Sequence, residues 1–580
     1  MRRYIALIVS RLAPGRRAAE SGFYWSFALS TIVGISGALA TTLFKFVIEY
    51  IDARIGQSSA ASDLVAVAKA LAWYWRIILP TLGGAIAGTL LMIARNYRRP
   101  DIADDYMDAV TLGNGQLGFR QSALTAGSSL ISIASGSSIG REGPMVQLAA
   151  LSASLVSKAL RLTVRDARMI VSCGAAAGLT AAYNAPVAGA LFVSELVLGS
   201  IAMNRFGPLL IAAVASNMTM RTMGDYHPTY AVPAYPSTSP GELAFFAVLG
   251  IVSGIAAPLF LSAVRSAKSC FGRLPLPVAA RLALGGLIVG ALSVECPEVW
   301  GNGFSVVTSI LHNPWPWQML LLILAAKVMA TVASAGSGAV GGVFTPTLFV
   351  GAVVGCLFGA GVSLAPSLGL ASQTAYAIAG MGATLAAATQ APLMAIVMLF
   401  EMTGDYQSVL PLIMSAVVAS AVAHAIGGPV MYGVTVRRKI KDEERKRIAV
   451  GTVQELAEET VTTITTEASI ADALKMFERY PVRYLYIVSQ EGNLMGVVAL
   501  RAVAKALLLG REISKTKAID LLSEEVVTLR PDDTFETALR AFLTFPGERL
   551  PVVANFPAPR FIGVVRKTKL LGAYASVATD

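Results

Sequence analysis

From about Tyr24 to about residue 435 the chain is a succession of apolar runs, dense in Gly, Ala, Val, Ile and Leu and sparse in charge. The first, from about Tyr24 to Val47, is long enough to cross a bilayer, whose hydrocarbon core takes about 20 apolar residues in helical form. It is expected to remain as an anchor, since no cleavable leader pattern precedes it. Several runs are cut by Gly, Ser and Pro. Small residues let helices approach closely inside a membrane, and breaks at membrane depth are tolerated only where backbone lines a cavity. After about residue 450 short β-branched runs alternate with amphipathic segments, which predicts a soluble α/β tail. The expected fold is an all-α polytopic membrane protein followed by that tail.

Both parts repeat internally. Gly140-x-Glu142-x-Pro144 matches Gly342-x-Phe344-x-Pro346, and Asn184-Ala185-Pro186 matches Gln390-Ala391-Pro392. The offsets are 346 − 144 = 202 and 392 − 186 = 206, and each Ala-Pro is followed nine residues later by a glutamate, Glu195 and Glu401. Repeats of this kind in a transporter place the binding site at their interface, near the bilayer midplane. In the tail, Ser469–Leu474 pairs with Thr534–Leu539, and Met495-Gly496-Val497-Val498 with Ile562-Gly563-Val564-Val565. The expected boundaries are a terminus at 1–20, a membrane domain at 21–435 (repeats about 21–225 and 240–435), a basic linker at 436–451, and soluble units at 452–511 and 517–577.

Composition agrees with the apolar pattern. The 580 residues are 55% hydrophobic and 14% charged, against about 25% charged in soluble domains. The net charge of +11 does not point to nucleic acid, because the basic residues gather at membrane edges: Arg2, Arg3, Arg11, Arg16 and Arg17 at the start, and seven Lys/Arg between Arg437 and Arg447. By the positive-inside rule both termini are expected in the cytoplasm, and a cell inner membrane is the expected location. Four scattered cysteines and three histidines offer neither a disulfide framework nor a metal site. No nucleophile–base pair or phosphate loop speaks for an enzyme. Trp73, Trp75, Trp315 and Trp317 are expected at the membrane interfaces.

The chemistry concentrates in Ser135–Pro144. Glycines and serines precede Pro144, and an apolar helix is predicted from Met145 onward. The free N–H groups and positive dipole of a helix start attract anions. Glu142 can occupy such a site with its own carboxylate until a free anion displaces it or a proton neutralises it. The plainer role is helix capping, worth about 0.3–1 kcal/mol; an uncompensated charge inside a bilayer costs about 2.5–3.5 kcal/mol, which argues for more than decoration. Arg141 and Gly143 flank it as further candidates for the anion site. Gly341–Pro346 offers the same backbone without the carboxylate, so the amides of Val343 and Phe344 are expected to hold an anion permanently.

These segments resemble the CLC family of chloride channels and chloride/proton antiporters. The likeness rests on GREGP at 140–144, GVFTP at 342–346, Gly174–Gly178 leading to Asn184-Ala185-Pro186, Phe400-Glu401-Met402-Thr403, and Tyr432 before the basic linker. It covers about residues 20–435, and the tail looks like a pair of CBS motifs. The resemblance implies a homodimer with one pore per subunit, inverted repeats, Glu142 as the gating glutamate, and Tyr432 as the hydroxyl closing the inner end of a central anion site.

Three departures shape what is expected. The family's Gly-Ser-Gly-Ile-Pro segment is replaced by Arg99–Met107, in which Asp101, Asp104 and Asp105 would repel an anion and are expected to face away from the pore; a bacterial branch, the voltage-gated ClcB-type channels, is similar here. Leu196 stands where antiporters of the family carry an internal proton-collecting glutamate, while neighbouring Glu195 and its counterpart Glu401 are expected to be buried structural carboxylates. The acid that nucleotide-binding CBS pairs present after Gly-Val-Val is absent, so no cofactor is expected, and an adenine nucleotide is disfavoured. The leading expectation is thus a voltage- or pH-gated channel for chloride, with nitrate and bromide as competitors. The alternatives are a chloride/proton antiporter and, of another class, a membrane-anchored CBS sensor.

Overall fold

The structure is a computed structural model. It describes all residues except 1–20, 57–63, 100–101, 112, 200, 225–227, 234, 236–239, 364–371, 433–450, 523–525, 546, 555–558 and 579–580. The N-terminal arginines, Asp101 and most of the basic linker lie outside the described residues. The chain divides into two compact units, Met1–Val436 and Arg437–Asp580.

The first unit is helical throughout. Among the described residues, seven helices are long and apolar enough to cross a membrane: Trp25–Ile51 (within Ser21–Gly56), Trp73–Arg95, Leu243–Arg273, Val278–Glu295, Trp317–Ser337, Phe344–Val362 and Val409–Ile426. Their outward faces carry bare aliphatic and aromatic side chains such as Leu43, Phe46, Leu259 and Leu410, each more than 60% exposed, as a lipid-facing surface requires. Trp73, Trp75 and Trp317 are exposed near the starts of their helices, as expected of interfacial anchors, whereas Trp315 packs against the core.

Other helices are shorter or less apolar, and several end inside the unit. Asn184 and Gln390 take left-handed backbone (φ 55° and 57°) at the ends of Val164–Tyr183 and Gln373–Thr389. Pro186 and Pro392 then restart the chain as Pro186–Phe192 and Pro392–Thr403. The repeat seen in the sequence is therefore one stop-and-restart device used twice: an αL residue ends a helix, and proline at the first position starts the next.

Small residues set the spacing. A Cβ on Gly351 would lie 2.4 Å from Gly380 O, and one on Gly380 would lie 2.4 Å from Gly351 O. Helices Phe344–Val362 and Gln373–Thr389 thus touch backbone to backbone, which membrane packing exploits.

Lys327, on Trp317–Ser337, is completely buried. Its Nζ donates to the carbonyls of Val299 (2.9 Å) and Gly301 (2.7 Å), 5.7 Å from the centre of the Phe349 ring. The amine is set against oxygen dipoles and a ring face, partners that satisfy its donors at membrane depth.

The second unit holds two similar α/β motifs. In the first, Thr463–Thr465 pairs parallel with Tyr484–Val488, which pairs antiparallel with Leu494–Ala499. In the second, Arg549–Ala554 pairs antiparallel with Arg560–Arg566, and Leu529 bridges Val552 in parallel. The matched sequence landmarks fall in equivalent places: Ser469 and Thr534 are the N-caps of Ile470–Arg479 and Phe535–Thr544, and both Gly-Val-Val runs lie in strands. Arg566 and Lys569 both pair with Glu458, at 3.0 Å each. The hydrogen bond and charge of Lys569, with Arg566 beside it, hold the Glu458 carboxyl below the usual carboxylate range.

Candidate functional site

The two repeats meet at their glycines. Gly140 N donates to Gly342 O (2.7 Å) and Gly342 N to Gly140 O (3.0 Å), a two-residue antiparallel bridge. Antiparallel pairing is what two segments related by a local two-fold axis must form. Immediately after the bridge each chain turns into a helix, Glu142–Ala159 and Phe344–Val362.

Glu142 is buried, with 4% of its surface exposed. Its Oε1 accepts from Phe344 N (3.1 Å) and Thr345 N (3.3 Å), and its Oε2 from Thr345 Oγ1 (3.2 Å); its own backbone N–H also bonds the carboxylate. The carboxylate of the first repeat therefore caps the helix of the second. This corrects two expectations. The site on Glu142's own helix and the fixed amide site on the other repeat were expected to be separate; a single carboxylate spans both. The second donor is Thr345, through both amide and hydroxyl, rather than Val343, which sits at the N-cap position.

The carboxylate fits because the bridge residues lack side chains. A Cβ at Gly140 would fall 2.1 Å from Glu142 Oε2, and one at Gly342 2.3 Å from Oε1.

Tyr183 was not anticipated from the sequence. Its hydroxyl and Thr345 Oγ1 are 2.9 Å apart, and its ring lies 5.3 Å from that of Phe344. It thus steadies the hydroxyl that holds Glu142. Its place beside Asn184, at the end of a helix that folds back on the repeat interface, was the only signal available.

The same crossed capping recurs at the restarted helices. Glu195 Oε2 accepts from Met394 N (2.8 Å), at the start of Pro392–Thr403. Glu401 accepts from Val187 N (3.0 Å) and Ala188 N (2.8 Å), at the start of Pro186–Phe192. Each repeat's glutamate neutralises the other repeat's helix end. Both are half-buried and bonded to backbone amides. Glu401→Ala would leave the Val187 and Ala188 amides without their acceptor. We expect a loss of about 1–3 kcal/mol, read as a lower midpoint of thermal unfolding in detergent, with Glu401→Gln recovering part of it. Of the four helix ends related by the repeats, three receive a carboxylate from across the interface. The counterpart of Glu142 is Phe344, so the start of Glu142–Ala159 receives none from across and meets only the Glu142 carboxylate itself, through its own N–H.

Glu142, Gly143 and Tyr432 line one cavity of about 250 Å³, together with Tyr106, Gln147, Phe192 and Gly341–Gly342. Tyr432 stands edge-on to Phe192, with ring centres 5.6 Å apart. Asp104 and Asp105 also line this cavity, correcting the expectation that they face away from the pore. Arg141 does not: it lines a separate, narrower cavity of about 50 Å³ with Glu49, Ile139, Trp300, Asn302 and Phe304. The segment Ile139–Gly143 thus separates two openings, with the Glu142 carboxylate at the divide. Leu196 is 2% exposed, within a π-helical turn, Val193–Leu198, and packs into the core instead of lining the cavity.

The sequence pattern described as "Voltage gated chloride channel" matches residues 83–424, more than half of the chain. The chain belongs to that family. The family is one of transporters and channels, and the CLC fold with a CBS tail expected from the sequence is the one observed. CBS domain patterns match residues 453–509 and 518–576. The family member described as "Putative chloride channel protein ClcB-like" from Ralstonia nicotianae is 48% identical over 422 residues, covering 72% of this chain and 98% of its own. The "Voltage-gated ClC-type chloride channel ClcB" of Salmonella typhimurium is 39% identical over 410 residues, 70% of this chain and 97% of its own. Among solved structures, a slow cyanobacterial Cl⁻/H⁺ antiporter aligns with a TM-score of 0.63 at 25% identity, covering 72% of this chain and 99% of that one. A eukaryotic CLC transporter aligns with a TM-score of 0.61 at 17% identity and covers 94% and 98%, which extends the shared fold into the tail.

Proposed function

We propose that this protein carries chloride across a membrane by exchanging it for protons at the helix-end site that Glu142 occupies. The observation that carries this reading is the Glu142 carboxylate, bound to the Phe344 and Thr345 donors where a free anion would bind. A group that binds in the anion's place and also binds a proton makes the two ions compete for one position, the elementary requirement for exchange. The 25% identical antiporter supports the same mode.

The second reading is a passive channel gated by Glu142. Its support is Leu196, buried and unable to carry a proton, together with the channel names of the ClcB relatives. On either reading the protein works as a homodimer in a cell inner membrane with both termini cytoplasmic. Nitrate and bromide compete with chloride for the amide donors, which recognise charge and size more than identity.

Reversal potentials of the purified chain in planar bilayers, under crossed chloride and proton gradients, separate the two. Exchange predicts a potential that shifts when the proton gradient alone is changed. A potential that follows chloride alone overturns exchange and leaves the channel; absence of chloride current and flux overturns both.

A further inference from the structure

The cavity that Glu142 lines is also lined by Asp104 and Asp105. The charged and amide side chains there have identifiable partners, but Asp105 has no cationic one among the described residues. Asp104 pairs with Arg98 at 2.5 Å and accepts from Gln121 Nε2 at 2.7 Å. Gln147 accepts from Tyr106 N (3.0 Å) and donates to Ser122 Oγ (3.1 Å). Asp105 Oδ1 accepts from Asp108 N at 2.9 Å, which caps the short helix Tyr106–Thr111. Among the described residues no lysine or arginine nitrogen comes within 4.0 Å of its carboxylate. The cap satisfies hydrogen bonds but does not neutralise a charge.

The titratable and charged groups around Asp105 do not neutralise it either. On its own segment they are Asp104, held by Arg98, and Asp108. Glu142 enters from Glu142–Ala159, and Tyr432 and Tyr106 complete the wall. On Val164–Tyr183, the helix packed against Tyr106–Thr111, Arg168 gives Nε to Gly113 O at 2.6 Å. On the turn Val193–Leu198, Glu195 is bonded to Met394 N. The guanidinium of Arg141 faces the other opening.

We propose that Asp105 is a specificity- and pH-determining residue of the transport pathway: an anion occupies the Glu142–Tyr432 cavity readily only when Asp105 is protonated. This deepens the chloride-transport reading and rests on it. Asp105 is exposed at the cavity, and two negative charges sharing a cavity of about 250 Å³ repel each other by about 1 kcal/mol at 4 Å even in water. By linkage, whatever disfavours the anion when Asp105 is charged makes anion entry draw a proton onto Asp105. The pathway then has two carboxylates with separate duties: Glu142 competes with the anion for the same donors, whereas Asp105 sets how readily the anion reaches them. The leucine at position 196 does not remove proton sensitivity from this side of the pathway, because Asp105 provides it from another wall.

Asp105→Asn separates charge from structure, since asparagine caps a helix as well as aspartate does. The full chain, wild type and variant, is reconstituted in liposomes, and chloride efflux is followed from about pH 5 to about pH 8, a range bracketing perturbed carboxylates. Wild-type efflux should fall as pH rises. Asp105→Asn should raise efflux near neutral pH by about tenfold, the scale of one removed charge at several ångströms, and should flatten the profile without abolishing the component due to Glu142. Asp105→Ser, which also caps, should behave alike and serves if the asparagine variant is not recovered folded. Variants that transport with the wild-type pH profile and rate overturn the proposal. Wild-type protein that moves no chloride overturns instead the transport reading on which it stands.

Discussion

Glu142→Ala should transport chloride faster at neutral pH than the wild-type protein, at a rate that no longer depends on Glu142 protonation. On the proposed reading an incoming anion displaces a carboxylate held by Phe344 N, Thr345 N and Thr345 Oγ1 together with its own N–H. That competitor is tethered to the same molecule, so it acts at high effective concentration whatever the anion concentration outside. Hydrogen bonds to a charged acceptor are worth about 1.5–3 kcal/mol each. Removing even one of them from the competition corresponds to a rise of about 10- to 150-fold in apparent anion affinity. Acid acts in the same direction in the wild type: a protonated carboxyl loses the charge assistance of its hydrogen bonds and yields to the anion, so flux rises as pH falls. Glu142→Gln, neutral and of the same shape, should resemble the Glu142-protonated form at every pH, keeping only the pH dependence due to Asp105. Liposome efflux over a pH series reads all three proteins. A Glu142→Ala profile as steep as that of the wild type would remove Glu142 from the gating role. Under exchange, the alanine variant should also lose the dependence of its reversal potential on the proton gradient.

Gly140→Ala should have the opposite effect on rate. Its Cβ would enter the space of the carboxylate, 2.1 Å from Oε2 and 2.2 Å from Oε1. The glycine is not in the left-handed region, so alanine is compatible with the backbone, and its N–H and C=O keep the bridge to Gly342. The substitution is therefore a local plug. Overpacking of this kind costs about 1–3 kcal/mol, a roughly 5- to 150-fold loss of occupancy. If an anion uses the place the carboxylate vacates, Gly140→Ala lowers flux at all pH values, and the Gly140→Ala/Glu142→Ala double variant stays low although the competing carboxylate is gone. A Gly140→Ala protein that instead behaves like Glu142→Ala, fast and without the Glu142 component of the pH profile, would show that the anion passes elsewhere. The double variant is informative because the two residues touch, so non-additivity is the expected signature of a shared site.

Much of this architecture was legible without coordinates. Apolar run lengths announced the membrane helices because bilayer thickness sets a minimum length. The landmarks at offsets of 202 and 206 announced two halves, and the αL-then-proline device at Asn184 and Gln390 is written in three residues each time. Glu142 stood out because a carboxylate in an apolar, glycine-rich segment needs a reason. The assignment of its partner went astray because local pattern ties a carboxylate to the nearest helix start, its own. The misplacement of Asp104 and Asp105 has a similar origin: repulsion argued them out of the pore, but Arg98 neutralises one and a helix cap binds the other, and neither compensation is visible without geometry. Tyr183 was missed because an aromatic at the end of an apolar helix reads as core.

By itself, then, the sequence determined that this is a two-repeat membrane protein with a soluble tail, and that Glu142 is the carboxylate at its centre. Those conclusions follow from local periodicity, composition and spacing, which the chain carries in order. Only the tertiary structure decided which helix end each glutamate serves. Glu142 crosses to Phe344 and Thr345, Glu195 to Met394, and Glu401 to Val187 and Ala188. Each of these contacts joins residues about 200 positions apart, brought together by packing of the two halves. The exchange of caps across that interface is a property of the pair of repeats, recorded in neither one alone.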